Sequence, residues 1–143
     1  MKLPAIPITD DHIHIDRQTA GGGRGREGLS PQRGGTHIFL VAKPSWSLGG
    51  VEPSSGEDYR EVFDRTLHVA EMVRETGLIV YPVLGVHPAE MNRLTERMSL
   101  EAAAGVMTAG LDLAARYVGG KGGPSPSRAA GPPTTRSRRR CLR

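Results

Sequence analysis

Short apolar runs alternate with longer segments of helical periodicity over the first 118 residues. The apolar runs cover residues 6–15, 36–42 and 78–86, and the last two, THIFLVA and LIVYPVLGV, are almost uninterrupted. Such runs, rich in β-branched residues, are typical of strands covered on both faces, as in a parallel sheet. We therefore predict one strand in each of the three runs.

The segment between the second and third runs predicts an amphipathic helix. Ser54 and Glu57 have the spacing of a capping box at its start, and Gly77 stands where a left-handed residue would end it. One face of this helix would be buried, and its members are Tyr59, Val62, Phe63, Thr66, Ala70 and Val73.

A second long helix is predicted after Ser99, which can cap it. Its apolar stripe, predicted to be buried, consists of Leu100, Ala104, Met107, Leu111, Ala114 and Val118. Gly105 and Gly110 should weaken this helix by about 1 kcal/mol each relative to alanine. Pro88 can open a short helical turn before it.

The order of these elements is strand, loop, strand, helix, strand, helix. Apolar strands that alternate with amphipathic helices predict a parallel α/β domain over residues 1–118. The glycine-rich loop at residues 20–35 holds seven glycines, too many for a confident helix. Residues 119–143, rich in Gly, Pro, Ser and Arg, lack apolar periodicity and are predicted to be a disordered tail.

Charge is divided unevenly between domain and tail. Residues 1–118 carry 12 Lys and Arg against 15 Asp and Glu, a net −3, whereas residues 119–143 carry 7 basic residues and no acid, a net +7. Any attraction to nucleic acid therefore belongs to the tail. No run approaches the roughly 20 apolar residues of a membrane helix, no export signal is visible, and one cysteine, Cys141, suits a reducing compartment. We expect a cytoplasmic protein.

The first strand ends in the sequence TDDHIHID. Side chains two positions apart in a strand point the same way, so His12 and His14 should project together. Two converging neutral imidazoles suit a borderline metal ion such as zinc. The alternative is that both rings only hydrogen-bond to neighbouring loops.

Other candidate residues follow from the position of each strand end. Ligands of parallel α/β folds bind at the carboxyl ends of the strands. His87 lies at such an end, after the third strand, and Lys43 and Trp46 follow the second, where Lys43 could hold an anionic group or simply be solvated. Asp10 and Asp16 share the parity of the histidines and could orient their rings by accepting hydrogen bonds from them.

The two remaining histidines are predicted to have no role at this edge. His37 opens the second strand and should lie at the opposite edge of the sheet, where we expect a structural residue. His68 falls in the middle of the first long helix, between Leu67 and Val69, and should be partly buried or on the surface.

Four segments together resemble the TatD-related branch of the metal-dependent amidohydrolase superfamily. These are PITDDHIHID, GGTHIFLVAKPSW, VYPVLGVHPAE and MSLEAAAGVMTAGLDLAARYV, spread over residues 4–118. The resemblance implies a (β/α)8 barrel with one or two divalent metals at its C-terminal rim, zinc first and magnesium or manganese as alternatives. His12 and His14 match the family's metal-binding pair, and His87 matches a histidine near substrate and metal. Metal-activated water would attack a phosphodiester, ester or amide bond.

The chain also departs from the family pattern. A complete barrel takes around 250 residues, whereas this chain predicts about three βα units. The family's further ligands, a glutamate on strand 4, histidines on strands 5 and 6 and an aspartate on strand 8, have no counterpart here. We therefore expect a partial TIM barrel from a hydrolase that is truncated and inactive as written. The tail composition suggests a hypothesis of its own, that residues 119–143 are a frameshift product.

Two alternatives remain open from the sequence. The first is a small nucleic-acid-binding protein that uses its basic tail, although the tail has no aromatic residue for base stacking. The second is a non-functional fragment, whose open strand edges and apolar faces would make it poorly soluble. The sequence leaves the oligomeric state and the substrate open.

Overall fold

The computed structural model describes residues 9–21 and 35–119. Three parallel strands form one sheet in the order β1 (Thr9–Ile13), β2 (His37–Val41), β3 (Ile79–Val83). The helices are α1 (Arg17–Gly21), α2 (Tyr59–Arg74), α3 (Glu90–Thr95) and α4 (Leu100–Val118), with 3-10 turns at Ser45–Leu48 and Gly56–Asp58. The predicted α/β class with parallel strands is therefore confirmed. The predictions for the glycine-rich loop beyond residue 21 and for the tail lie outside the described residues.

Helix α2 lies across the sheet and joins two apolar clusters. All six residues predicted for its buried face are buried, and Val69 joins them. Its C-terminal half packs on the sheet in a cluster that includes Val69, Ala70, Val73, Ile38, Leu40 and Val80. Its N-terminal half packs on α4 in a second cluster that includes Tyr59, Val62, Phe63, Leu113, Ala114 and Tyr117.

The start of α2 differs by one residue from the predicted capping box. The box is formed by Ser55 and Asp58, at the 3-10 turn that leads into the helix, and not by Ser54 and Glu57. The Asp58 carboxylate accepts the backbone N–H groups of Ser54 and Ser55 at 2.8 Å, and these bonds hold the pKa of Asp58 below its usual value. Glu57 instead pairs with Arg60 and Arg116, at 2.7 and 2.8 Å.

The predicted buried stripe of α4 is wrong. Within it, Leu100, Leu111 and Val118 are 67%, 51% and 84% exposed, and only Ala114 is buried. The helix buries a different face, made of Ala103, Gly110, Leu113, Ala114 and Tyr117. Steric fit explains the choice, because α4 approaches its neighbours closely at small residues.

Gly110 marks the closest approach of α4. A Cβ added there would lie 2.6 Å from Cδ2 of Tyr59 and 2.7 Å from Cγ2 of Val86, closer than carbon atoms pack. Gly56 has the same relation to Ala109, whose Cβ would be 2.4 Å away. Gly110, which was expected to weaken the helix, is therefore the residue that allows α4 to dock.

The two faces of the sheet have different surroundings. One packs on α2, whereas the other exposes large apolar side chains of β2 and β3, and Phe39, Ile79, Tyr81 and Val83 are 37% to 48% accessible. The rings of Phe39 and Tyr81 stack at 5.2 Å on this open face. The prediction of strands covered on both faces is thus wrong for residues 9–21 and 35–119, because no described helix packs on the second face. No helix in these ranges is long and apolar enough to cross a membrane.

Candidate metal centre

An irregularity in β1 sets the direction of the histidines. Asp10 pairs with Ile38 and Ile13 pairs with Leu40, so three residue steps of β1 run beside two of β2. Paired residues on neighbouring strands share a face, and an extra residue inverts the alternation that follows it. Ile13 therefore packs with the core cluster beside α2.

The inverted alternation brings both imidazoles to the surface. His12 and His14 are exposed, while Ile15 is 5% exposed in the core. In a regular strand the parity of Asp10 would have carried both histidines to the face that packs on α2. The sequence predicted a shared direction for the two rings, and the bulge supplies the face. Such bulges are common at barrel rims and beside active sites, where they re-aim a side chain.

The two imidazoles meet through their Nε2 atoms. These atoms are 3.2 Å apart, and the ring centroids lie 4.9 Å apart with nearly perpendicular planes. Nδ1 of His14 lies 3.0 Å from the carbonyl oxygen of Val41. Because a carbonyl can only accept, Nδ1 must carry the proton, and Nε2 of neutral His14 keeps a free lone pair directed at His12.

The spacing of the two Nε2 atoms fits adjacent ligands of one zinc ion. Zinc–nitrogen bonds of about 2.0–2.1 Å in a tetrahedral arrangement place neighbouring nitrogens about 3.3–3.4 Å apart, close to the observed 3.2 Å. The bond from His14 to Val41 is the kind of outer contact that orients a ligating histidine. Without an ion, the same contact is an N–H···N hydrogen bond from His12 to His14.

A third ligand does not join the pair among residues 9–21 and 35–119, where no group of three His, Cys, Asp or Glu residues could hold a metal. His87 lies next to the pair, with its ring 6.3 Å from that of His14. Its Nδ1 accepts the backbone N–H of Ala89 at 3.2 Å, so Nε2 carries the proton in the neutral ring. That nitrogen is therefore a hydrogen-bond donor in the neutral ring.

Aromatic and cationic groups extend the row beyond His87. The ring of Trp46 meets His87 edge to face, with centroids 6.2 Å apart, and the guanidinium of Arg93 lies 5.1 Å from the centre of Trp46. The rim row, as we call it, thus consists of His12, His14, His87, Trp46 and Arg93. Arg93 was not identified from the sequence, and its one signal is that it lies on the helix that follows GVHP.

The other predicted site residues are Lys43 and Asp16, which line a cavity, and Asp10, which contacts the backbone of His12. Lys43 is half-buried and lines a cavity of about 750 Å³ between the sheet and α2, together with Asp16 and Leu40. The carboxylate of Asp10 accepts the backbone N–H of His12 at 3.1 Å, which holds the bulge. A role for Asp10 or Asp16 in orienting an imidazole, and for Lys43 in binding an anion, stays a prediction.

The two histidines predicted outside the site lie apart from it. His37 is the first residue of β2, at the opposite end of the strand from Lys43, and its ring stacks on Tyr81 with centroids 6.3 Å apart. His68 is exposed on α2. These positions agree with the sequence prediction for both residues.

The chain is similar in sequence to an archaeal protein. The chain is 28% identical over 116 residues to the uncharacterized protein MJ1127 of Methanocaldococcus jannaschii, and the match covers 81% of this chain and 39% of that protein. The chain therefore spans less than half the length of this relative. No protein family model matches the chain, and no solved structure matches it.

Proposed function

We propose that the chain carries the metal-binding strand of a hydrolase of the TatD-related type, with His12 and His14 as two ligands of a divalent ion. One observation carries the proposal, the 3.2 Å approach of two Nε2 atoms with the proton of His14 held on Nδ1 by Val41. The carboxyl edge of a parallel sheet is also where α/β enzymes place their sites. Zinc suits two imidazole donors best, and manganese or magnesium are alternatives.

The neighbouring side chains have separate roles in this proposal. The bound ion would lower the pKa of a water molecule and polarise the scissile phosphodiester, ester or amide group. His87 would donate its Nε2 proton to a substrate oxygen, since its Nδ1 is occupied by Ala89. Trp46 would form an apolar wall beside that donor, with Arg93 adding positive charge.

The number of ligands limits what the chain should do by itself. Catalytic zinc sites generally have three protein ligands, and the described residues bring together two. We therefore expect this chain to bind metal without catalytic turnover. The activity of a complete protein of this type is part of the proposal, because the match to the archaeal relative covers 39% of its length.

Metal binding by the purified chain tests whether His12 and His14 are ligands. We expect the wild-type chain to bind Zn²⁺ in a calorimetric titration, and to bind Co²⁺ with visible absorption bands that report the coordination. The paired substitution His12→Ala and His14→Ala should weaken Zn²⁺ binding at least about tenfold, since both donors are lost. His68→Ala is the matched control, because it removes an exposed imidazole outside the rim row.

Two results would contradict the proposal. Equal Zn²⁺ affinity with and without both imidazoles would remove His12 and His14 as ligands, and equal loss in the His68→Ala control would make the effect non-specific.

Turnover is assayed separately, with chromogenic phosphodiester, ester and amide substrates in the presence of zinc. Hydrolysis that is lost when His12 and His14 are both replaced would show that two ligands suffice here.

A further inference from the structure

Glu90, the first residue of α3, is a buried carboxylate next to the rim row. Its side chain is 2% exposed. Oε1 accepts the backbone N–H of Ser45 at 2.7 Å, and Oε2 accepts the hydroxyl of Ser45 at 2.9 Å. Both carboxylate oxygens therefore bind one residue that lies 45 positions earlier in the chain.

This arrangement needs an explanation beyond filling space. A buried carboxylate costs several kcal/mol unless hydrogen bonds compensate it, and an apolar residue would fill the same volume without that cost. Leu94, on the same short helix, is fully buried and does fill space in this way. A glutamate at position 90 therefore points to a need for its two directed hydrogen bonds.

The two residues joined by Glu90 are neighbours of two rings in the rim row. Ser45 directly precedes Trp46, and the backbone N–H of Glu90 donates to the carbonyl oxygen of His87 at 2.9 Å. In the same turn the N–H of Ala89 holds Nδ1 of His87 at 3.2 Å. Glu90 thus ties the segment after β2, which carries Trp46, to the turn after β3, which carries His87.

We propose that Glu90 is a positioning residue, which fixes the edge-to-face contact of Trp46 with His87 beside the proposed metal centre. Its carboxylate hydrogen-bonds to Ser45 and acts on Trp46 through that residue. The relevance of Glu90 to hydrolysis rests on the proposed function. The positioning itself does not, because it concerns two rings whose contact is present without any ion.

Trp46 provides a direct readout, because it is the one tryptophan of the chain. Glu90→Leu fills the buried position with an apolar side chain and removes both hydrogen bonds to Ser45. We expect it to shift the emission of Trp46 to longer wavelength and to raise acrylamide quenching by about twofold, as the freed segment opens to water. Glu90→Gln should restore the wild-type values, because its amide oxygen can accept from the N–H of Ser45 and its amide nitrogen can donate to the hydroxyl.

Two further variants keep the test decisive. Glu96→Ala removes an exposed carboxylate just after α3 and should leave the emission unchanged. If Glu90→Leu fails to fold by circular dichroism, Ser45→Ala replaces it, since it removes the hydroxyl bond alone and should move emission in the same direction by less.

The outcomes separate this inference from the proposed function. Folded Glu90→Leu, or Ser45→Ala in its place, with wild-type emission and quenching would overturn the positioning role, and so would a Glu90→Gln variant that behaves like Glu90→Leu. Zn²⁺ titration of the same variants tests the proposed metal site separately from the fluorescence, which tests the positioning of Trp46. Loss of the proposed function appears as a wild-type chain that binds no Zn²⁺, and the fluorescence comparison remains valid in that case.

Discussion

Helices α2 and α4 both carry an apolar stripe at helical spacing, but they use it differently. In α2 every residue of the predicted stripe is buried, between the sheet on one side and α4 on the other. In α4 the predicted stripe is largely exposed, and the helix packs through Ala103, Gly110, Leu113, Ala114 and Tyr117.

The difference shows what periodicity can and cannot select. A stripe of apolar residues identifies a helix face that could be buried, but the face that is buried is the one that fits its neighbour. For α4 that neighbour is the 3-10 turn and the Tyr59 ring, which come so close that only small residues are tolerated at Gly56 and Gly110. Helix α2 packs on its partners mainly through larger side chains, among them Tyr59, Phe63 and Val73.

Two leucines on α4 provide the largest test of this comparison. Leu113 is fully buried, whereas Leu111, in the predicted stripe, is 51% exposed. We expect Leu113→Ala to lower the free energy of unfolding by about 2–5 kcal/mol, through lost burial and the cavity that remains. Leu111→Ala, the matched control, should change it by about 0.5 kcal/mol or less. Urea unfolding measures both, and a reversed order would mean that α4 buries the predicted stripe after all.

Two glycines on α4 test the close approach. Gly110→Ala should lower the free energy of unfolding by about 1–3 kcal/mol, because its Cβ would overlap Tyr59 and Val86. Gly105 has open space around its Cα, so Gly105→Ala should raise the free energy of unfolding by up to about 1 kcal/mol through better helix propensity. The opposite signs on one helix are the prediction. Stabilisation by both substitutions in urea unfolding would show that α4 docks less closely.

The smallest expected effect concerns the bond between the two helices. The hydroxyl of Tyr117 on α4 donates to the carboxylate of Asp64 on α2 at 2.7 Å. Burial, followed by this bond, raises the pKa of Tyr117 from 10.0 to about 12. Because the folded pKa is the higher one, the stabilisation is complete below pH 10.0 and is lost as the pH rises to about 12.

We therefore expect the free energy of unfolding to fall between pH 10 and about 12, and to fall less steeply in Tyr117→Phe. At neutral pH this substitution should cost about 1 kcal/mol for the lost hydrogen bond. Tyr81→Phe, at an exposed tyrosine of β3, is the control and should keep the wild-type slope. Equal slopes in wild type and Tyr117→Phe would contradict the link between α2 and α4.

The sequence predicted well those features that depend on neighbouring residues. Ser99 caps α4 by accepting the N–H of Ala102 at 3.2 Å, and Gly77 adopts the left-handed conformation with φ of 91°. The three parallel strands and the buried face of α2 follow from periods of two and 3.6 residues within short segments. These signals are local, so one chain is enough to read them.

The features that the sequence did not predict depend on distant partners. The buried face of α4 is set by Tyr59, which lies 51 positions before Gly110, and Glu90 acquires its role from Ser45. The convergence of His12 and His14 was predicted from strand parity, whereas their outward direction comes from the pairing of β1 with β2. No pattern within β1 itself marks the extra residue.

That extra residue couples the chemistry of the first strand to the stability of the sheet. If all residues of β1 instead paired regularly in the register that Asp10 sets, both imidazoles would turn into the apolar layer beside α2, and Ile13 and Ile15 would be pushed out into water. Exposing a buried isoleucine costs about 1.5–3 kcal/mol, and burying an imidazole adds to the penalty. Sequence drift that preserves folding would therefore also preserve the outward aim of the histidines, even in a lineage that no longer uses them.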